Sequence, residues 1–313
     1  MKKVSFVIPC YRSANTIGVV VDEIRDTMPT LPEYDYEIIL VNDCSPDNTL
    51  EVISALALSD RRITAVDLAK NFGQHAALMS GISHSTGDFV VCLDDDGQTP
   101  ANEVGKLLAR LEQDDCDVAM ASYEHKQHSA FRNFGTKLNN RMTEIMLGKP
   151  RDLSMTSYFA IKRFVVDEML KYKNCFPYLD GLILRCTRRI RTVPVQHRAR
   201  MEGSSGYTLG KLFALWMDGF TAFSVKPLRL ASIFGALTAF AGFIYTIVII
   251  IKHFIYSDIP TGWSSTMALQ LILGGVILLV LGLVGEYIGR IYMCINAAPQ
   301  YVERSVIRRG DGE

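Results

Sequence analysis

Phe89-Val90-Val91-Cys92-Leu93-Asp94-Asp95-Asp96-Gly97-Gln98-Thr99-Pro100 is an apolar run that ends abruptly in three consecutive aspartates. Residues 89–93 have the length and β-branched character of a strand buried on both faces, and Gly97 and Pro100 mark the turn that follows. Adjacent carboxylates repel one another, and a folded domain tolerates three of them best when a cation neutralises them. Hard oxygen donors with no neighbouring His or Cys suit Mg²⁺ or Mn²⁺. If the strand continues through them, Asp94 and Asp96 point one way and Asp95 the other, which makes Asp94 and Asp96 the metal-ligand candidates. A solvated acidic turn would need no metal.

Upstream, residues 4–8, 37–41 and 63–68 are further short apolar runs, spaced so that helices such as 14–28 fit between them. This is a βαβ pattern. It predicts an α/β domain with a parallel sheet covered by helices, and ligands of such sheets bind outside the carboxyl ends of the strands. Those ends read Pro9-Cys10-Tyr11, Asn42-Asp43-Cys44-Ser45-Pro46-Asp47-Asn48-Thr49, Lys70-Asn71-Phe72-Gly73-Gln74-His75 and Asp94-Asp95-Asp96-Gly97-Gln98. Each is polar or turn-forming, and none carries GxGxxG or GxxxxGK[ST], which disfavours a dinucleotide-binding domain or a P-loop enzyme.

Charge and cysteine usage narrow the setting. The 313 residues hold 33 Lys plus Arg against 33 Asp plus Glu, so no global field draws the chain to nucleic acid, and none is expected as a partner. The seven cysteines stand singly, with no CxxC pair, as reduced thiols do in a reducing compartment. Met1-Lys2-Lys3 precedes an apolar run that Pro9 interrupts too early for a secretory signal, so the amino terminus is expected in the cytoplasm.

Residues 230–251 contain no charge, and a helix over them would reach roughly 33 Å, enough for a hydrocarbon core of about 30 Å. A second uncharged run over 267–285, broken only by Gln270, completes a helical hairpin, with membrane lipids as its surroundings. Lys226, Arg229, Arg290, Arg304, Arg308 and Arg309 flank the pair on its outer ends, whereas the connection offers Lys252 and His253. Both termini are therefore expected on the cytoplasmic side of a multi-pass protein of the plasma (inner) membrane. Leu212, Leu215, Trp216, Phe220 and Phe223 recur at helical spacing before the first span. That stripe suits an interfacial helix and equally suits packing on the soluble domain. The expected organisation is a cytoplasmic domain over 1–206, an amphipathic segment over 207–229, spans over 230–251 and 267–289 joined by an extracytoplasmic loop at 252–266, and a cytoplasmic tail over 290–313. Small residues in the spans, among them Gly235, Gly242, Gly275 and Gly282, allow close helix approach and hence a homo-oligomer.

The succession VIPCY, VNDCSPDNT, KNFGQHAALMSGI and LDDDGQTP resembles family 2 glycosyltransferases of the GT-A fold, whose motifs read VIPxYN, VDDxSxDxT, RNxGxxxAxxxG and DxDxQxP. With two carboxyl-terminal spans it is similar to the polyprenyl-phosphate branch, which includes bactoprenol glucosyltransferases and dolichol-phosphate mannose synthase. The resemblance implies a Rossmann-like nucleotide-sugar domain. In it Pro9, Tyr11, Asp43, Lys70, Asp94, Asp95 and Gln98 would contact the donor, and Asp94 and Asp96 would hold a divalent cation, Mg²⁺ or Mn²⁺. Two departures stand out: Arg12-Ser13-Ala14 follows the tyrosine where the family has Asn and Glu, and Gly206 replaces the lysine of RxxGxSKY.

For the acceptor, the resemblance points to Arg132, Arg141, Ser157, Arg200 and Ser205 around a lipid phosphate, although a basic, solvated helix face explains each cation equally well. Asp152 and Asp96 are the expected catalytic carboxylates. Because a phosphate monoester has a second pKa of about 6, the acceptor is mostly a dianion at neutral pH, and Asp152 can serve as a base or as an orienting group. The implied reaction is inverting transfer of a sugar, from a UDP-hexose such as UDP-glucose or UDP-N-acetylglucosamine, to undecaprenyl (polyprenyl) phosphate, with GDP donors open. A processive polysaccharide synthase would carry QxxRW, and neither Trp216 nor Trp263 follows an arginine. An inactive sugar-nucleotide sensor would not need Asp94 and Asp96.

Overall fold

The computed structural model describes residues 1–123, 144, 150, 153, 155–196, 226–255 and 262–310. The chain forms two compact units, Met1–Leu209 with Ala297–Glu313, and Gly210–Asn296.

In the first unit the described residues place eight strands in one sheet. In chain order the elements are β1 (Lys2–Cys10), α1 (Ile17–Thr27), β2 (Tyr34–Asn42), α2 (Thr49–Ser59), β3 (Ile63–Leu68), α3 (Gln74–Ser83), β4 (Phe89–Cys92), α4 (Val104–Leu111), β5 (Val118–Tyr123), β6 (Phe159–Lys162), α5 (Arg163–Leu170), α6 (Leu179–Cys186) and β7 (Ile190–Val195), and Glu303–Arg308 forms β8. The sheet order is β7-β5-β6-β4-β1-β2-β3-β8. Strands β3, β2, β1 and β4 run parallel, as the βαβ pattern predicts. The sheet as a whole is mixed: β6 is antiparallel to both β4 and β5, and β8 is antiparallel to β3. The order reverses at β1, which lies between β2 and β4, so the switch-point crevice of an open α/β sheet falls beside the exits of these strands.

Alternation along β1 explains why helices cover both faces. Val4, Phe6, Ile8 and Cys10 are fully buried in one cluster with Ile17, Val20, Val21 and Ile24 of α1 and Leu107, Leu108 and Leu111 of α4. Burial of each large side chain contributes about 1.5–3 kcal/mol, so Phe6→Ala, which also leaves a cavity, costs about 3–5 kcal/mol. On the opposite face α3 lies close enough that a Cβ on Gly81 would come within 2.4 Å of Val7 Cγ1 and 2.9 Å of Val41 Cγ2.

The stretch expected as a cytoplasmic tail, 290–313, contains a strand. Residues 303–308 return to the first unit as β8, an edge strand on β3, and Ala69 N donates to Val302 O at 2.8 Å.

The second unit contains α7 (Lys226–Ile255) and α8 (Trp263–Ile295), both longer than the runs 230–251 and 267–289. Large apolar side chains remain exposed on both, including Phe240 at 64% and Leu278 at 71%. Among the described residues Leu273–Ile295 is long and apolar enough to cross a membrane, with a mean hydropathy of 1.7.

Candidate active site

The exits of the four parallel strands are bound to one another by named side chains. At the exit of β1, Tyr11 N donates to Asp95 Oδ2 at 3.0 Å and Arg12 N donates to Ser45 Oγ at 2.7 Å. Arg12 has φ of 58°. That left-handed conformation is one in which asparagine is far commoner than arginine, which gives a backbone reason for Asn in VIPxYN. Tyr11 is exposed, and the Arg12 guanidinium stands 5.7 Å from its ring centroid. Pro9 is half-buried within β1, opposite Val41.

At the exit of β2, Asp43 is almost fully buried and grips the next exit. Its Oδ1 accepts from Phe72 N at 2.7 Å and its Oδ2 from Gly73 N at 2.9 Å. Burial raises the Asp43 pKa, and those two amide bonds oppose the rise. Gly73 has φ of 88° and ψ of 162°, a region open essentially to glycine alone, which explains the glycine of KNFG. Asp47 organises the start of α2 by accepting from Thr49 N at 3.2 Å and Thr49 Oγ1 at 2.6 Å. Burial works against its ionisation, but the bonds from Ser45 and Thr49 outweigh it and hold the pKa low. Lys70 is exposed on the loop before α3, with Nζ 4.9 Å from the Phe72 ring centroid.

The three aspartates do not alternate along a strand, because β4 stops at Cys92 and they sit in the following turn. They nevertheless diverge. Asp94 Oδ1 accepts from Gln74 Nε2 at 3.0 Å, and Asp94 Oδ2 accepts from the Ser157 hydroxyl. Asp95 holds the β1 exit; its pKa is raised chiefly by burial, against the Tyr11 amide bond. Asp96 Oδ1 accepts from Gln98 N at 3.0 Å, and Gly97 takes φ of 74° to close that turn. Ser157, expected beside a lipid phosphate, therefore stands beside the acidic cluster. Tyr123, at the end of β5, lies near enough that burial, then the charges of Asp94 and Asp96, push its pKa well up and keep its hydroxyl protonated.

Asp94 and Asp96 are the two carboxylates of the turn left as candidates for a divalent cation. Among the described residues no group of three or more His, Cys, Asp or Glu could hold a metal ion, and Asp95 is turned to Tyr11. Two carboxylates suit Mg²⁺ or Mn²⁺, which retain waters and take substrate phosphates as their remaining ligands.

Arg132, Arg141, Asp152, Arg200 and Ser205 lie outside the described residues, as does most of the 207–229 segment. Sequence reasoning gave no site role to Gln74, Asn42, Asp67 or Tyr123, and used Arg304 only as a topology signal. Asn42 Nδ2 donates to Asp67 Oδ1 at 2.7 Å, and its signal was present in the sequence as the asparagine that replaces the first aspartate of VDDxS.

Comparison with known proteins agrees with this fold. The family model described as "Glycosyl transferase family 2" matches residues 5–170, and "GtrB C-terminal hairpin" matches residues 226–291. The chain is 32% identical over 312 residues to an undecaprenyl-phosphate 4-deoxy-4-formamido-L-arabinose transferase of Klebsiella pneumoniae, covering 99% of this chain and 95% of that one. A protein of the same name from Proteus mirabilis is also 32% identical, over 98% of this chain and 94% of its own. Among solved structures, glucosyl-3-phosphoglycerate synthase of Mycobacterium tuberculosis superposes with a TM-score of 0.51 at 19% identity, covering 69% of this chain and 77% of that one. The likeness is one of fold, the GT-A type.

Proposed function

The chain belongs to glycosyl transferase family 2, and from that premise we propose that it moves a sugar from a nucleotide sugar to undecaprenyl phosphate at the cytoplasmic face of a membrane. The observation that carries the donor half is the joining of four strand exits into one site: Asp95 to the Tyr11 amide, Asp43 to the Phe72 and Gly73 amides, and Gln74 to Asp94. Pro9, Tyr11, Asp43, Lys70, Asp95 and Gln98 are the proposed donor contacts. The acceptor half is supported by the relatives, which are undecaprenyl-phosphate transferases, and by the hairpin match. Arg132, Arg141, Arg200 and Ser205 are its proposed ligands, whereas the Ser157 hydroxyl, expected there, donates to Asp94 instead.

In the proposed step an oxygen of the acceptor phosphate attacks the anomeric carbon in line. The new carbon–oxygen bond forms as the bond to the diphosphate breaks, the nucleoside diphosphate leaves with the electron pair, and the configuration inverts. The acceptor needs no deprotonation when its phosphate is already a dianion, so Asp152 is assigned to orient it. Tyr123 supplies a neutral O–H donor near the carboxylates. A divalent cation held by Asp94 and Asp96 would neutralise charge on the departing diphosphate. Asp94 is held by Gln74 and Ser157, and Asp96 by its own turn.

The membrane topology belongs to the same proposal. The chain leaves the first unit before α7 and returns to it as β8, so α7 and α8 together would cross twice, with the catalytic unit on one side. Lys226, Arg229 and Arg290 beside the pair support a cytoplasmic position for that side.

The test is an assay of the full-length protein with undecaprenyl phosphate and labelled UDP-glucose, UDP-N-acetylglucosamine, UDP-4-deoxy-4-formamido-L-arabinose and GDP-mannose, with and without chelator. An organic-extractable product is expected with one UDP-sugar, and it should disappear with chelator and in Asp96→Asn. Product retained in a folded Asp96→Asn protein would overturn the metal assignment, and no product from any donor would overturn the transferase reading.

A further inference from the structure

Strand β8 pairs with β3, one of the strands whose exits form the candidate site. Arg304 Nη1 lies 3.2 Å from Asp67 Oδ2, and Nη2 donates to Ala69 O at 3.0 Å. Asp67, near the end of β3, is 1% exposed, and its other oxygen accepts from Asn42 Nδ2 at 2.7 Å. Asn42 Oδ1 in turn accepts from Ser45 N at 3.1 Å, and Ser45 Oγ accepts from Arg12 N at 2.7 Å. A continuous path of polar contacts therefore runs from the segment after α8 to the exits of β2 and β1.

The chemistry of each link explains its neighbour. A buried carboxylate needs charge and hydrogen-bond donors around it, and Arg304 and Asn42 supply them to Asp67. Asn42 can bridge because its amide donates on one side and accepts on the other. An aspartate at position 42 would instead set a second carboxylate against Asp67. Glu303 grips a neighbouring element in parallel: its Oε1 accepts from Ser80 Oγ at 2.7 Å, and both its oxygens lie 3.0 Å from His84 Nε2. Both partners lie on or at the end of α3, the helix whose first residue, Gln74, holds Asp94.

We propose that Arg304 is a positioning residue for the donor site: through Asp67 and Asn42 it fixes the turn at Ser45 and the β1 exit. The donor site then requires the strand that follows the hairpin. The nucleotide consequence rests on the donor reading given above, whereas the effect on the turn does not.

The experiment uses full-length protein in detergent micelles, with Arg304→Gln, Arg304→Lys, Asn42→Asp and the double variant Asn42→Asp/Asp67→Asn. Hydrogen–deuterium exchange reads the Arg12 and Ser45 amides, the two donors on the path. Calorimetry reads UDP and GDP binding in MnCl₂. Arg304→Gln is expected to exchange both amides at least tenfold faster while Phe6 and Ile38 in the strands stay protected, and to bind nucleotide at least fivefold more weakly. Arg304→Lys should restore part of both. Asn42→Asp should resemble Arg304→Gln, and adding Asp67→Asn should return it toward wild type. Unchanged exchange at Arg12 and Ser45 would overturn the proposal, as would loss of protection spread evenly over β1 and β2 or unchanged nucleotide affinity in Arg304→Gln. Wild-type protein that binds neither nucleotide would overturn the donor reading and the nucleotide half of this proposal, and the exchange pattern would still decide the path.

Discussion

Gln74 and Asp94 join two strand exits across the candidate site, with Gln74 Nε2 donating to Asp94 Oδ1 at 3.0 Å. Second partners of this kind orient a metal-binding carboxylate and typically change metal affinity 10–100-fold when removed. Ser157 also holds Asp94, so Gln74→Ala is expected near the lower limit, about tenfold weaker Mn²⁺ binding. Electron paramagnetic resonance titration of the full-length variant with Mn²⁺ and UDP checks this. An unchanged affinity would leave Gln74 as a packing residue.

The exits themselves were legible because each apolar run ends in residues that cannot continue a strand: Pro9, Asn42-Asp43, Lys70-Asn71 and Asp94 onward. What the sequence concealed is pairing between distant segments. The exposed edge of β8 is charged because β8 pairs on one side only, so Glu-Arg-Ser-Val-Ile-Arg at 303–308 reads as a basic tail. Its arginines served the sequence reading as topology signals, yet Arg304 binds Asp67 and Ala69, Arg308 binds Thr64 and Arg309 binds Ser59. The direction of β6 was equally hidden, since short apolar runs look alike in parallel and antiparallel ladders. The expected alternation of the aspartates failed because it needed the strand to outlast Cys92, and boundaries are set by tertiary contacts that Gln74, Thr99 and Tyr11 make with the turn.

Gly81 tests how closely α3 sits on the sheet. A methyl group there would meet Val7 and Val41 side chains, which are stiff, β-branched and fully buried. Gly81→Ala is therefore expected to destabilise the domain by about 1–3 kcal/mol despite the better helix propensity of alanine. Gly18, in α1, has nothing within 4 Å of a built Cβ, and Gly18→Ala should stabilise by about 0.5 kcal/mol. Thermal melts of the two variants should shift in opposite directions, and a parallel shift would contradict the packing account.

Glu37 predicts the acid limit of stability. Its carboxylate lies 2.6 Å from Lys3 Nζ, Ser5 Oγ and Thr86 N, at the end of the sheet opposite the candidate site. Burial alone would raise its pKa, but the bonds from Lys3, Ser5 and the Thr86 amide outweigh burial and hold it below the usual value of 4.5. A carboxylate depressed in the folded state contributes stability that is fully present above its unfolded pKa and is lost as pH falls through its folded pKa. Asp60 acts in the same direction through Arg62 and Arg25, whereas Asp43, raised by burial, acts in the opposite one. Glu37→Gln should cost about 1–3 kcal/mol at pH 7, where it removes the charge from the hydrogen bonds with Lys3, Ser5 and Thr86. That cost should shrink steadily below about pH 4.5, as wild-type Glu37 itself becomes protonated. Melting temperatures measured from pH 7 down to about 3.5 should therefore converge for wild type and Glu37→Gln. Curves that stay parallel would mean that the ionised carboxylate contributes nothing beyond its shape.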